Sequence, residues 1–142
     1  MLSRIVSSRP WLAVLTVTVL ATAASAQDNE SPIIAQGKAE LKHPDRPFVL
    51  LVRVQLKDGM QKKFEAAFAT SRQSTRKEKG NLAYQLTRNA KDSTHYVVYE
   101  HWKNLAALES HVQSQYVTTL LSEVHDMVEA APEMEFLVPV GQ

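Results

Sequence analysis

Glu100 and Trp102 stand two positions apart in a segment rich in β-branched and aromatic residues, and His111 follows nearby. In a strand, this spacing places the first two side chains on one face of the sheet. If the next helix folds back over that face, Glu100 could hold His111 and raise the pKa of its imidazole. The pair would then act as a general base on a phenolic or enolic O–H. The alternative is a purely structural Glu–His contact, since a single histidine on an apolar helix stripe is often structural.

Three aromatic residues are candidates for the wall of a pocket beside this pair. Trp102 offers a planar surface to an aromatic ligand, although tryptophan is also a common core residue. Tyr84 and Tyr96 are expected to edge the same cavity. The predicted site therefore has His111 and Glu100 as catalytic residues and the three aromatic residues as substrate-binding residues.

The rest of the sequence excludes several kinds of site. It has no cysteine, so a thiol nucleophile, a thiolate zinc site and a disulfide framework are excluded. Its five histidines show no ligand spacing such as H-E-x-x-H, and no glycine-rich nucleotide-binding motif occurs. We therefore predict neither a metal nor another cofactor. Beyond Ala26 the acidic and basic residues nearly balance, which argues against nucleic acid as a partner.

Residues 1–26 have the pattern of an export signal. Arg4 and Arg9 precede a short apolar run from Trp11 to Leu20, and Ala24-Ser25-Ala26 has the small residues of a cleavage site. A membrane anchor is the alternative, but the run is only about half of the roughly 20 residues that span a bilayer. We expect cleavage before Gln27, no stable membrane span in the mature protein, and a periplasmic or secreted bacterial product.

The remaining chain predicts a linker followed by one α+β domain. Residues 27–47 are polar, contain Pro and Gly, and are predicted to be a flexible linker. Within 48–140, alternation predicts strands at 48–56, 82–88, 94–102 and 134–140, and helical periodicity predicts helices after Met60, Asn104 and Ser114. Gly80 is expected to be the left-handed residue that ends the first helix. The order β-α-β-β-α-α-β is that of a ferredoxin-like split βαβ fold with one extra helix.

Four segments together carry a family resemblance. They are Lys57–Gly59, Thr75–Tyr84, Tyr99–Trp102 and Asn104–His111, the last followed by Ser114–Tyr116. In this order and spacing they resemble the antibiotic biosynthesis monooxygenase (ABM) domain family, nearest to its quinol monooxygenase members. The resemblance implies a homodimer whose sheets pack face to face as a dimeric α+β barrel, with one pocket per subunit. It also implies oxidation of quinols or other small aromatic molecules by O₂ without a metal or flavin.

Two functions from different classes stay open. The first is a cofactor-independent monooxygenase of small aromatic or quinol substrates, and the second is a non-catalytic dimeric module that binds a small hydrophobic ligand. Val98 and Leu108 stand where aromatic-polyketide oxygenases of this superfamily carry an Asn and a Tyr, which weakens the first. Haem degradation is a minor third alternative, because Val52 and Leu121 stand where haem-degrading members carry an Asn and the ligating His.

Overall fold

The computed structural model describes residues 30–141 of the 142-residue chain. The helices and strands are, in chain order, α1 (Pro32–Glu40), β1 (Phe48–Gln55), α2 (Gln61–Thr75), β2 (Asn81–Arg88), β3 (His95–Trp102), α3 (Leu105–Val112), α4 (Gln115–His125) and β4 (Glu133–Leu137). The predicted export leader and the first residues of the predicted linker lie outside the described residues. None of the helices between residues 30 and 141 is both long and apolar enough to cross a bilayer.

The four strands form one antiparallel sheet in the order β2-β3-β1-β4. Strands β1 and β2 both pair with β3, so the helix between them crosses over the sheet as in a split βαβ unit. This arrangement confirms the predicted ferredoxin-like α+β fold with an extra helix after β3.

The burial of β3 shows which face of the sheet the helices cover. Tyr96, Val98, Glu100 and Trp102 are buried, whereas the residues between them are only half-buried. Alternate residues of a strand point to opposite faces, so the buried set lies under the helices. The prediction that Glu100 and Trp102 share this face is confirmed.

The opposite face of the sheet has apolar residues at one end of the β1–β3 pair and bears no helix in the described part of the chain. Val49 and Leu51 of β1 lie on it beside Tyr99 and His101 of β3, and all four are half-buried. Half-buried apolar residues on a sheet face are suited to packing against a second layer. This face is therefore available for another protein surface.

Helix α1 corrects the prediction of a flexible linker over 27–47. Ile34 is 1% exposed and belongs to the main core, and the side-chain amide of Gln36 donates to the carbonyl of Met134 at 3.3 Å. Pro32 stands in the first turn, where proline favours a helix instead of breaking it. Gly37 permits close packing, since a Cβ there would lie 2.7 Å from Leu105 Cδ1. Pro32 thus starts a helix, and Gly37 allows this helix to pack against α3.

Gly80 also has a role other than the predicted one. Helix α2 ends at Thr75, and Gly80 does not have a positive φ. A Cβ at Gly80 would instead lie 2.3 Å from the Cβ of Ala107 in α3. The glycine is therefore required because the turn before β2 passes close to α3.

Two strand predictions also need correction at their ends. β4 ends at Leu137, and Val138 and Val140, predicted to be strand residues, are 65% and 95% exposed. In β2 the pairing with β3 shifts between Asn81 and Ala83, and Leu82 is 52% exposed. Alternation alone predicts that Leu82 lies on the same face as the buried Tyr84. The irregularity at this point turns Leu82 away from that face.

Candidate functional site

A cavity of about 350 Å³ lies between the helix-covered face of the sheet and the helices. Its wall is mainly apolar and comes from both central strands, the helices and the residues around β4. The apolar wall residues are Pro32, Ile33, Val52, Val54, Phe64, Phe68, Val98, Leu108, Val112, Val117, Leu120, Leu121, Val124, Pro132 and Met134. Such a wall suits a small hydrophobic or aromatic ligand.

Few polar groups reach this cavity. Glu100 of β3, His111 of α3, Tyr84 of β2 and Ser31 complete its lining. No lysine or arginine is among the lining residues in the described part of the chain. The cavity therefore offers proton-transfer groups but no fixed positive charge to an anionic ligand.

Glu100 is a buried carboxyl group whose one strong partner is an indole. It is 6% exposed, and its Oε2 accepts a hydrogen bond from Trp102 Nε1 at 2.8 Å. Burial raises the pKa of Glu100 to about 7, the indole hydrogen bond opposes this rise, and the nearby negative charge of Glu78 adds to it. The carboxyl group thus changes protonation near neutral pH.

His111 is held by Glu78, and the predicted pairing with Glu100 is wrong. Asn104 starts α3 by accepting a hydrogen bond from the backbone N–H of Ala107, which fixes the helix that carries His111. The imidazole Nδ1 lies 2.8 Å from Glu78 Oε1. Burial lowers the pKa of His111, and the adjacent Glu78 only partly opposes this effect, so the predicted rise in its pKa is also wrong.

The contact with Glu78 determines the tautomer of the neutral imidazole. An ionised carboxylate can only accept hydrogen bonds, so Nδ1 carries the proton. The lone pair then lies on Nε2, which has no hydrogen-bond partner among residues 30–141. Because His111 lines the cavity and its pKa is lowered, Nε2 is a free base at neutral pH.

Glu78 and Tyr116 are the residues that the sequence analysis did not assign to the site. Glu78 Oε1 accepts a hydrogen bond from the Tyr116 phenol and also contacts Nδ1 of His111. Burial, followed by the bond to Glu78, raises the pKa of Tyr116, so its phenol remains a donor. Both residues lie within the segments that carry the family resemblance, and their polar character there was the available sign.

Tyr84 lies in the cavity wall, as predicted. Its ring stacks on Phe68 with centroids 5.1 Å apart and planes 4° apart, and its centroid lies 5.5 Å from that of His111. Burial raises the pKa of Tyr84 well above its usual range, and the charge of Glu100 adds to the effect. The phenol therefore remains protonated and can donate a hydrogen bond.

Trp102 and Tyr96 are not where the sequence predicted them. Trp102 is fully buried behind the cavity wall, with its ring centroid 4.7 Å from that of His111. Tyr96 packs edge-on against Phe64 in a second core cluster and donates to Glu65 at 2.7 Å. Neither lines the cavity. Trp102 supports the polar groups from behind, and Tyr96 belongs to a different part of the core.

The described residues form no candidate metal centre. Across residues 30–141, histidine and carboxylate side chains do not come together in any group of three or more that could hold an ion. The expectation that the protein uses no metal and no other cofactor stays a prediction.

The fold and the cavity define an α+β protein with a ferredoxin-like sheet and a largely apolar cavity between this sheet and its helices. Residues 47–122 match the family described as antibiotic biosynthesis monooxygenase, and this match covers more than half of the chain. The chain belongs to this family, which confirms the resemblance found in the sequence.

Relatives of known sequence or structure agree with this assignment. The chain is 27% identical over 104 residues to sll1783, an uncharacterized protein of Synechocystis sp., covering 73% of this chain and 64% of that protein. It thus spans less than two thirds of that relative. A solved structure from Nitrosomonas europaea, named for the same monooxygenases, has a TM-score of 0.66 at 20% identity and covers 71% of this chain and 97% of its own. Another solved structure, from Caulobacter crescentus CB15, has a TM-score of 0.65 at 23% identity and covers 68% of this chain and 92% of its own. At these identities the two structures show the fold alone.

Proposed function

We propose that the protein is a cofactor-independent monooxygenase of small, neutral hydroxyaromatic substrates such as quinols. The observation that carries the proposal is the His111 imidazole, which lines an apolar cavity and is held at Nδ1 by Glu78, so that its unprotonated nitrogen is Nε2. The family to which the chain belongs is described as antibiotic biosynthesis monooxygenase, and this description supports oxidation by O₂.

The reaction balances without an external reductant. His111 removes a proton from a phenolic O–H, and the phenolate transfers electrons to O₂. One oxygen atom adds to the ring and the other leaves as water, so a hydroquinone and O₂ give a hydroxyquinone and water. Glu100, which is partly protonated near neutral pH, supplies a proton to the reduced oxygen. The apolar wall limits the contact of the intermediates with water.

The charge of the cavity supports a neutral substrate. Two carboxyl groups, Glu100 and Glu78, lie at or behind the wall, and no lysine or arginine lines the cavity in the described chain. A carboxylated or phosphorylated ligand would meet these negative charges in an apolar environment without a cationic partner. A neutral phenol has no such conflict and gains a proton acceptor in His111.

Oxygen uptake by purified protein with a panel of hydroquinones tests the proposal. His111→Ala should lower the turnover by about 10²–10⁴ while the circular dichroism spectrum stays unchanged. His125→Ala, which removes an exposed histidine from α4, is the matched control and should retain the activity. Oxygen uptake that is equal in both variants would exclude His111 as the base.

Glu78 is proposed as a positioning residue for His111. Glu78→Gln should lower kcat by about 10–100-fold with little change in KM, because it acts on the base and not on substrate binding. The variant also loses the charge that favours the imidazolium, so the pKa of His111 should fall further. Neutral His111 is the active form, and the acid limb of the pH–rate profile should therefore move to lower pH. An unmoved acid limb would indicate that Glu78 is merely structural.

A non-catalytic binding module is the second candidate, and the cavity wall itself favours it. Val98 and Leu108, where related oxygenases carry polar residues, both line the cavity with apolar side chains. Binding of hydroquinones without oxygen uptake would support this function. Val52 and Leu121 also line the cavity and offer no ligand atom to haem iron, so haem degradation gains no support.

The open face of the sheet is proposed to bind a second copy of the chain, giving the homodimeric α+β barrel of the family. Leu51 and Tyr99 lie opposite each other on this face in paired strands. Light scattering should give twice the monomer mass, and Leu51→Arg should give a monomer because it would bury a charge in the interface. An exposed control, Leu121→Arg on α4, should remain dimeric.

Export also stays a proposal. The sequence of residues 1–26 supports cleavage before Gln27 and a periplasmic or secreted product. Mass spectrometry of the protein exported by a bacterial host should find Gln27, or its cyclised form, at the amino terminus. A product that retains Trp11 would contradict cleavage.

A further inference from the structure

Helix α1 lies outside the family domain but contributes to the cavity. The family match begins at residue 47, and α1 spans Pro32–Glu40. Its first turn and the residue before it nevertheless line the cavity, through Ser31, Pro32 and Ile33. This segment is therefore an addition to the shared fold that reaches the ligand site.

The first turn of α1 is fixed in place by the remainder of the helix. Ile34, the neighbour of Ile33, is fully buried in the main core, and Gly37 packs closely against Leu105 of α3. The bond from Gln36 to the Met134 carbonyl ties the helix to β4. Anchors on both α3 and β4 make α1 a rigid part of the wall.

Ile33 is the largest apolar side chain that α1 brings to the cavity. It is half-buried, packs against the main core, and shares the wall with Val112 at the end of α3 and Met134 in β4. Because Ile33 is only half-buried and borders the cavity, a side chain of another size at this position changes the cavity more than it changes the core. The size of this residue therefore limits the space for a ligand.

We propose that Ile33 determines which ring sizes the cavity accepts, so that the N-terminal helix gives this chain a specificity separate from that of the shared domain. The inference rests on the proposed function, since it assumes that the cavity binds hydroxyaromatic molecules. The ligands concerned are neutral phenols that differ in the number of fused rings.

Binding of two air-stable phenols to the full mature chain tests the inference. The probes are 2-naphthol, with two rings, and 9-phenanthrol, with three, and calorimetry gives the Kd of each. Ile33→Ala should shift the ratio of the two Kd values towards 9-phenanthrol by about tenfold or more, and Ile33→Trp should weaken both probes by a similar factor. Ala35→Trp places the same bulk on an exposed position of α1 that does not line the cavity, and should leave both Kd values unchanged.

The outcomes separate this inference from the proposed function. If the wild-type protein binds neither phenol, the proposed function fails and the inference fails with it. If the wild-type protein binds them and the folded Ile33 variants keep the same Kd ratio, only the inference is overturned. If Ile33→Trp does not fold, the ratio of the two Kd values measured with Ile33→Ala still tests whether Ile33 controls the accepted ring size.

Discussion

Replacement of Glu100 by glutamine should stabilise the protein at alkaline pH and have little effect at acidic pH. The carboxyl group is buried and accepts a hydrogen bond from the Trp102 indole. A glutamine has nearly the same shape, and its carbonyl oxygen can accept the same bond. The substitution therefore removes the ionisation of a buried acid while it retains the packing and the hydrogen bond.

The sign and size of the effect follow from the raised pKa. Burial raises the pKa of Glu100 from 4.5 to about 7, so the folded state prefers the protonated carboxyl group. The free energy of unfolding of the wild type is therefore fully retained below pH 4.5 and falls as the pH rises towards 7. At about 1.4 kcal/mol for each tenfold change in the acid constant, the full loss is about 3 kcal/mol. Most of it, about 2–3 kcal/mol, should develop between about pH 5 and about pH 8.5.

Urea unfolding of the wild type and Glu100→Gln, measured across this pH range by circular dichroism, tests the prediction. Glu123→Gln removes an exposed carboxylate from α4 and is the matched control, which should not reproduce the pH-dependent gain. A stability difference between wild type and Glu100→Gln that is the same at both ends of the range would refute the reasoning. The carboxyl group of Glu100 would then ionise as easily in the folded chain as in the unfolded one.

Three further substitutions test the packing and bonding around the site. Gly80→Ala should lower the stability by about 1–3 kcal/mol in thermal unfolding, because the new Cβ would lie 2.3 Å from that of Ala107; Ala107→Gly in the same chain should restore part of it. Asn104→Ala removes the side-chain cap of α3 and should lower the free energy of unfolding in urea by about 1 kcal/mol. An unchanged free energy of unfolding would show that the cap is unimportant. Trp102→Phe removes the indole donor, so the pKa of Glu100 should rise further, and the loss of stability should become larger and continue to higher pH; an unchanged pH dependence would contradict the role of this hydrogen bond.

The sheet and its covering helices were predictable because they depend on local periodicity. Alternation in 94–102 was enough to place Glu100 and Trp102 on the helix-covered face. Helix α1 was missed because Pro32 and Gly37 were interpreted as breakers, although one starts the helix and the other allows it to dock. Such roles depend on the neighbouring elements, which composition does not reveal.

The pairing within the site was beyond sequence reasoning for a different reason. Glu78 lies in the irregular turn after α2, 33 positions before His111, and no periodicity predicts where a turn will direct a side chain. Glu100 was on the correct face, but the Trp102 indole occupies its Oε2. The choice between two candidate carboxylates was thus decided by three-dimensional packing.

The two carboxyl groups have different roles because their surroundings differ. Glu78 is partly exposed, and its carboxylate accepts hydrogen bonds from His111 and the Tyr116 phenol. Glu100 is buried with one indole donor, so its ionisation weakens the fold as the pH approaches neutrality. An apolar residue at position 100 would avoid this loss of stability and would suit the otherwise hydrophobic wall. A buried acid with a strongly shifted pKa and an unprotonated imidazole that line the same cavity are difficult to explain by packing alone, and they support the proposed proton transfer.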